Sequence, residues 1–139
     1  MDAAPNNSFP DAPRLNVAAY LDRINYRGSL LSTAETLRQL QLAHLLSVPF
    51  ENLSIHGNEP IVLDDEALFT KIVERRRGGF CYECNGLFAA LLRALGFEVA
   101  MLSAKVANAA GVSGPDFDHM RALAYRRRLR GFFSRTVAA

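Results

Sequence analysis

Two cysteines and three histidines are the side chains of this 139-residue chain best suited to covalent or proton-transfer chemistry. Cys81 is set apart by its neighbours. It follows Arg75-Arg76-Arg77-Gly78-Gly79-Phe80 and precedes Tyr82-Glu83-Cys84-Asn85-Gly86. A thiol attacks as its thiolate, a form favoured at a helix N-terminus or beside an imidazolium. Basic residues suit the C-terminal end of one helix, and two glycines let the backbone turn sharply. Cys81 then opens an apolar-periodic helix, where unpaired backbone N–H groups favour negative charge. Nucleophilic catalysis also needs a base. His119 is the strongest candidate, because it lies on or beside a strand after a loop able to fold back over Cys81. His44, among leucines, reads as a satisfied core or boundary residue. His56, in a polar stretch, reads as solvated.

The residues alone leave alternatives open. Cys81 fits a small buried hydrophobe too. Cys-Tyr-Glu-Cys matches a C-x-x-C redox pattern, but the helical run upstream is not the βαβ setting which that pattern needs. Zinc requires two further ligands, and His56 and His119 lack ligand-like spacing, so no metal is expected. Cys84 falls on the apolar helix face and reads as core.

The elements that position these groups follow from periodicity and caps. Asn16 caps a helix whose apolar face is Val17, Tyr20, Leu21 and Ile24. Ser32 and Glu35 have capping-box spacing before a leucine-rich helix that runs to Val48-Pro49. Ile61-Val62-Leu63 is a candidate short strand. Asp64 caps a third helix, with Leu63 and Leu68 at hydrophobic-staple spacing, closed by Arg75 to Arg77 and stopped by Gly78 and Gly79. The helix from Cys81 carries Cys84, Leu87, Phe88, Leu91, Leu92 and Leu95 on one face, and Gly96 ends it. Residues 97–106 alternate as a strand, and Met120 to Tyr125 form a second. The expected class is α+β, an N-terminal helical bundle followed by the start of a β-rich domain. The boundaries read as a disordered lead-in (1–14), a helical domain carrying the nucleophile (15–96), an incomplete β domain (97–125) and a basic tail (126–139).

Half the residues are apolar and 22% are charged, as in a soluble globular protein. No apolar run approaches the roughly 18 residues of a membrane span. The N-terminus lacks the basic and apolar regions of a secretory signal. With two cysteines so close together there is no disulfide framework, and a reducing, cytoplasmic setting is expected. The charge is uneven. All 14 acids lie before His119, whereas the segment from His119 onward carries six arginines.

Two motifs carry a family resemblance. Pro49-Phe50-Glu51-Asn52-Leu53, then Arg76-Arg77-Gly78-Gly79-Phe80-Cys81-Tyr82-Glu83 with Asn85-Gly86-Leu87, resemble the arylamine N-acetyltransferases, from about Leu15 to His119. The resemblance implies a helical first domain, a β-rich second and an α/β third, around a cysteine-protease-like catalytic core. It implies ping-pong chemistry in which Cys81, within a Cys-His-Asp triad, takes acetyl from acetyl-CoA and passes it to an arylamine, hydrazine or arylhydroxylamine. It also implies His119 as the triad histidine, Glu51 and Arg76 as a structural ion pair, and Phe50 and Val106 as walls of the acceptor pocket.

The chain departs from that pattern near its end. The family's Asp follows its His in a Val-Asp-Val-Gly-Phe-Gly-like strand, yet Met120 to Ala139 contain no acid. Asp116 and Asp118 are too near His119 in sequence to replace it readily. The expectation is an acetyltransferase-like chain, truncated or frame-shifted after about residue 120, with impaired activity. Strands from Phe97 onward would lack partners and promote self-association. The alternative is a non-catalytic fragment acting through such association. For the Arg-rich tail, a solvated extension is favoured over nucleic-acid binding.

Overall fold

The structure, a computed structural model, describes residues 15–126 and 135–137. The expected lead-in and most of the basic tail lie outside the described residues. Helix α1 (Val17–Arg23) is capped by Asn16, whose side-chain oxygen accepts the Ala19 N–H at 3.1 Å. Helix α2 (Ala34–Ser47) is capped by Thr33 rather than Ser32, since the Thr33 hydroxyl accepts the Thr36 N–H at 3.1 Å. Glu35 therefore does not close a capping box with Ser32; it accepts from Arg38 and Gln39, both at 2.7 Å. Leu53–His56 form a short helix, α3, that periodicity did not disclose. Residues 61–63 are exposed and pair with no strand among the described residues, where the candidate strand is not formed.

Helix α4 (Asp65–Phe69) begins as expected, with the Asp64 carboxylate accepting the Ala67 N–H at 2.8 Å. It continues into a π turn, Thr70–Glu74. The chain then reverses at Arg76, which has φ of 53°, and not at the glycines. A left-handed conformation in a non-glycine residue costs about 1 kcal/mol or more. Gly78 is needed for another purpose. A Cβ there would overlap the Pro49 carbonyl oxygen, because the two segments run against each other. The Gly79 N–H donates to the Pro49 carbonyl at 3.2 Å, and the Glu51 N–H donates to the Gly79 carbonyl at 3.0 Å.

Helix α5 (Cys81–Ala94) is the axis of the core. Its Leu87, Phe88, Leu91 and Leu92 pack with Tyr20 and Ile24 of α1 and its C-cap, Leu37 and Leu40 of α2, and Leu68 and Ile72. Strand β1 (Phe97–Ala104) pairs antiparallel with β2 (His119–Arg126), from Phe97 opposite Arg126 to Ala104 opposite His119. Strand β3 (Arg135–Val137) pairs with the other edge of β2. The strands expected to lack partners thus form a three-stranded sheet. Phe97 and Ala124 join the helices in one continuous core.

Two buried polar groups hold the helical layer. Arg23 is 6% exposed. It donates to the carbonyls of Ile72 at 2.8 Å and Ser47 at 2.7 Å, and to those of Arg76 and Arg77 at 3.4 Å. It therefore satisfies carbonyls at the end of α2 and beyond α4, where a cation also suits the helix dipoles. His44 is the satisfied core histidine that its leucine setting implied. It shares a 2.9 Å hydrogen bond with the Tyr20 hydroxyl and packs on Phe88 at 4.9 Å between ring centroids. Burial, then the Arg23 charge, hold its imidazole down at about 4.

Candidate active site

Cys81 is the first residue of α5, 6% exposed and a free thiol. The first backbone bond closed at this end of the helix runs from the Cys84 N–H to the Phe80 carbonyl at 2.9 Å. Phe80, the residue before the helix, has no side-chain acceptor. The carboxylate of Glu83 serves instead, accepting the Phe80 N–H at 3.1 Å. Glu83 is itself 2% exposed and accepts from the Lys71 ammonium at 2.6 Å, so its charge is paired. The Lys71 partner comes from the π turn. That places two charges against the first turn of α5 with their hydrogen bonds satisfied, as buried ions require.

Two hydrogen bonds fasten the segment around His119 to this turn. The Tyr82 hydroxyl donates to the Phe117 carbonyl at 2.7 Å, and the Asn85 amide donates to the Met120 carbonyl at 2.6 Å. Asn85 is one helical turn beyond Cys81, on the same face. His119 lies between the two anchored carbonyls and opens β2. Among the described residues, no hydrogen bond joins Cys81 to His119 and no carboxylate bonds the imidazole. Asp116 is instead paired with Lys105 at 3.0 Å. In a regular strand His119 shares a face with Arg121 and Leu123, opposite to the buried Ala122 and Ala124.

The ion pair at Glu51 differs from expectation. The guanidinium that reaches its carboxylate, at 3.3 Å, belongs to Arg77, not Arg76. Arg77 also bonds Glu59 at 2.9 Å and the Ser54 hydroxyl at 3.2 Å. The left-handed turn at Arg76 explains the shift by one residue: the next side chain is the one brought against the Pro49 to Ser54 segment. Phe50 forms an isolated bridge with Gly79, two residues before Cys81, and is 70% exposed. Val106 is 52% exposed. Cys84 is half-buried against the core, as its helix position implied, and its thiol donates to the Gly79 carbonyl at 3.1 Å. Burial foremost, then the Glu83 charge, push that thiol up to about 11.

A family described as N-acetyltransferase matches residues 33–124. The chain belongs to the arylamine N-acetyltransferase family. A pineal gland arylamine N-acetyltransferase isozyme of Gallus gallus is 43% identical over 95 residues, 68% of this chain and 33% of that protein. The arylamine N-acetyltransferase of Mycobacterium tuberculosis is 44% identical over 93 residues, 66% of this chain and 33% of that protein. The solved Mycobacterium marinum arylamine N-acetyltransferase superposes with a TM-score of 0.76 at 39% identity, over 84% of this chain and 44% of that one. The same enzyme has been solved in complex with CoA, with a TM-score of 0.73. The chain thus spans about a third of the length of the curated arylamine N-acetyltransferases it matches. No helix among the described residues is long and apolar enough to cross a membrane.

Proposed function

We propose that Cys81 is the acetyl-accepting nucleophile of this chain. The observation that best supports the reading is its place at the first residue of α5, with Tyr82 and Asn85 tying down the carbonyls on either side of His119. In the first half-reaction the Cys81 thiolate attacks the thioester carbon of acetyl-CoA, and CoA leaves as its thiol. Exchange between two thiols is nearly isoenergetic, so a thioester donor suits a cysteine acceptor. The imidazole of His119 takes the thiol proton and returns one to the leaving CoA sulfur. In the second half-reaction an arylamine or hydrazine nitrogen attacks the carbonyl carbon of acetyl-Cys81, the C–S bond breaks with the Cys81 thiolate as leaving group, and His119 takes the amine proton. Apo geometry leaves such hydrogen bonds open until substrate closes them. The CoA complex of the Mycobacterium marinum relative supports the donor, and the names of the relatives support the acceptor class.

The core, read in this way, is cysteine-protease-like, and the compartment is the reducing cytoplasm. Phe50 and Val106 line the acceptor side, their exposed faces being those that the remaining two thirds of the fold would cover. Among the described residues no carboxylate orients His119. In a serine triad an orienting Asp replaced by Asn costs about 10⁴ in kcat, so turnover here is impaired on a comparable scale. The test is incubation with acetyl-CoA followed by peptide mass spectrometry. One acetyl group on Cys81, absent in Cys81→Ala, is the expected result. Normal labelling of Cys81 by iodoacetamide without any acetylation overturns it. That outcome favours the second reading, a non-catalytic fragment that associates through exposed apolar surface, which the outward leucines of α2 support: Leu42, Leu45 and Leu46 are 48%, 62% and 79% exposed.

A further inference from the structure

The proposed acetyl transfer gives no role to Cys84, although it completes a C-x-x-C with Cys81. We propose that Cys81 and Cys84 form a peroxide-driven, thiol-reversible disulfide, with Cys84 as the resolving thiol. Both thiols are free. Cys81 and Cys84 are i and i+3 in the first turn of α5, where helix geometry sets their Cα atoms about 5 Å apart, inside the range that a disulfide spans. Their Cβ atoms, at about 5–6 Å in a regular helix, must close by about 1–2 Å. The first turn is the part of the helix that can do this. Cys81 opens the helix after an extended Phe80, so rotation about its own backbone can swing its side chain toward Cys84 at the cost of the bond from the Cys84 N–H to the Phe80 carbonyl. The Cys84 thiol donates to the Gly79 carbonyl at 3.1 Å, just before the helix start, and turns from that carbonyl to meet Cys81.

The chemistry balances with a hydroperoxide as oxidant. The Cys81 thiolate attacks one peroxide oxygen; the O–O bond breaks, and for hydrogen peroxide the other oxygen leaves as water. Cys81 is then a sulfenic acid. The Cys84 sulfur displaces its hydroxide, so that the S–S bond forms as S–O breaks, and the Cys84 proton leaves with the hydroxide as water. The two sulfurs lose two electrons and the peroxide gains them. Burial holds the Cys84 proton at neutral pH, so transfer to the departing hydroxide belongs to the same step. An external dithiol reverses the bond by exchange. Bond formation needs only the two thiols; the consequence, a nucleophile shielded from irreversible oxidation while masked, rests on the acetyl-acceptor reading above.

The test treats the whole chain with hydrogen peroxide, blocks remaining thiols with N-ethylmaleimide and maps peptides without reduction. The expected product is a peptide lacking two hydrogens, with the bond between Cys81 and Cys84, restored by dithiothreitol. In Cys84→Ser, and in Cys84→Ala as a second variant, Cys81 proceeds instead to sulfinic and sulfonic acids that dithiothreitol does not reverse. Over-oxidation of Cys81 at equal rates in all three proteins, or linkage only between copies, overturns the proposal. Acetylation by acetyl-CoA is measured on the same samples. A disulfide that forms in protein which never acetylates refutes the acetyl-acceptor reading and leaves this one standing.

Discussion

His44, Arg23 and Gly78 each place a physical demand on a single position. The His44 imidazole is held at about 4 in the folded chain, against an ordinary value of 6.5. The unfolded chain therefore binds the extra proton between those limits, and stability rises with pH through the window. The contribution is complete above pH 6.5 and falls by about 3 kcal/mol as pH drops to 4. Denaturant melts at pH 7 and pH 4.5 should show this loss, and His44→Gln should flatten it. Arg23→Met leaves up to four carbonyls without their donor and should cost about 2–4 kcal/mol in the same assay. Gly78→Ala drives a methyl into the Pro49 carbonyl, part of a backbone that cannot give way, and should cost about 3 kcal/mol or more. The core setting of His44 was legible from its leucine neighbours, and so were the positions of Cys81 at a helix start and His119 at a strand start. Arg23 was not, because nothing local marks a guanidinium whose four acceptors come from residues 47 to 77.

Caps and periodicity act within a few residues, which is why α1, α5 and the two long strands match their sequence signatures. Where contacts from elsewhere decide, the reading fails. The helix after Asp64 becomes a π turn over Thr70–Glu74, which places Lys71 on Glu83 and leaves the reversal to Arg76. At this scale the two bonds from α5 to the His119 segment are the testable unit. Tyr82→Phe and Asn85→Ala each remove one donor worth about 1 kcal/mol. Amide exchange over Phe117 to Ala122 should quicken about fivefold in each variant, with α5 amides unchanged. Equal exchange in the parent and both variants would show that β1 pairing alone holds the segment.

Across the molecule, among the described residues, one core joins α1, α2, α4, the π turn and α5 to the sheet. Its α2 is apolar on two faces. Leu37 and Leu40 point inward, whereas Leu42, Leu45 and Leu46 remain outside. Contiguous exposed leucines of this kind mark an interaction or aggregation surface. Leu45→Lys with Leu46→Lys should lower concentration-dependent light scattering while shifting Tm by little, since neither side chain is in the core. Scattering that persists would direct attention to the outer edge of β1. An apolar run of leucines announces a helix, but only the packed chain shows which of them find partners.

Motif order and spacing sufficed to identify the family and to point to Cys81 as the candidate nucleophile, and residues 120–139 contain no acid. Those are properties of short segments with strong local rules: a glycine pair, a helix start, a strand alternation. The tertiary structure alone decided that Gly78 and Gly79 serve close approach rather than the reversal, and that Arg77 rather than Arg76 meets Glu51. It also decided that the late strands pair with each other, and that Tyr82 and Asn85 grip the segment carrying His119. The physical reason is common to all four. Each depends on atoms far apart along the chain, and their meeting is fixed by burial and hydrogen-bond satisfaction across the assembled core rather than by any preference of the residues themselves.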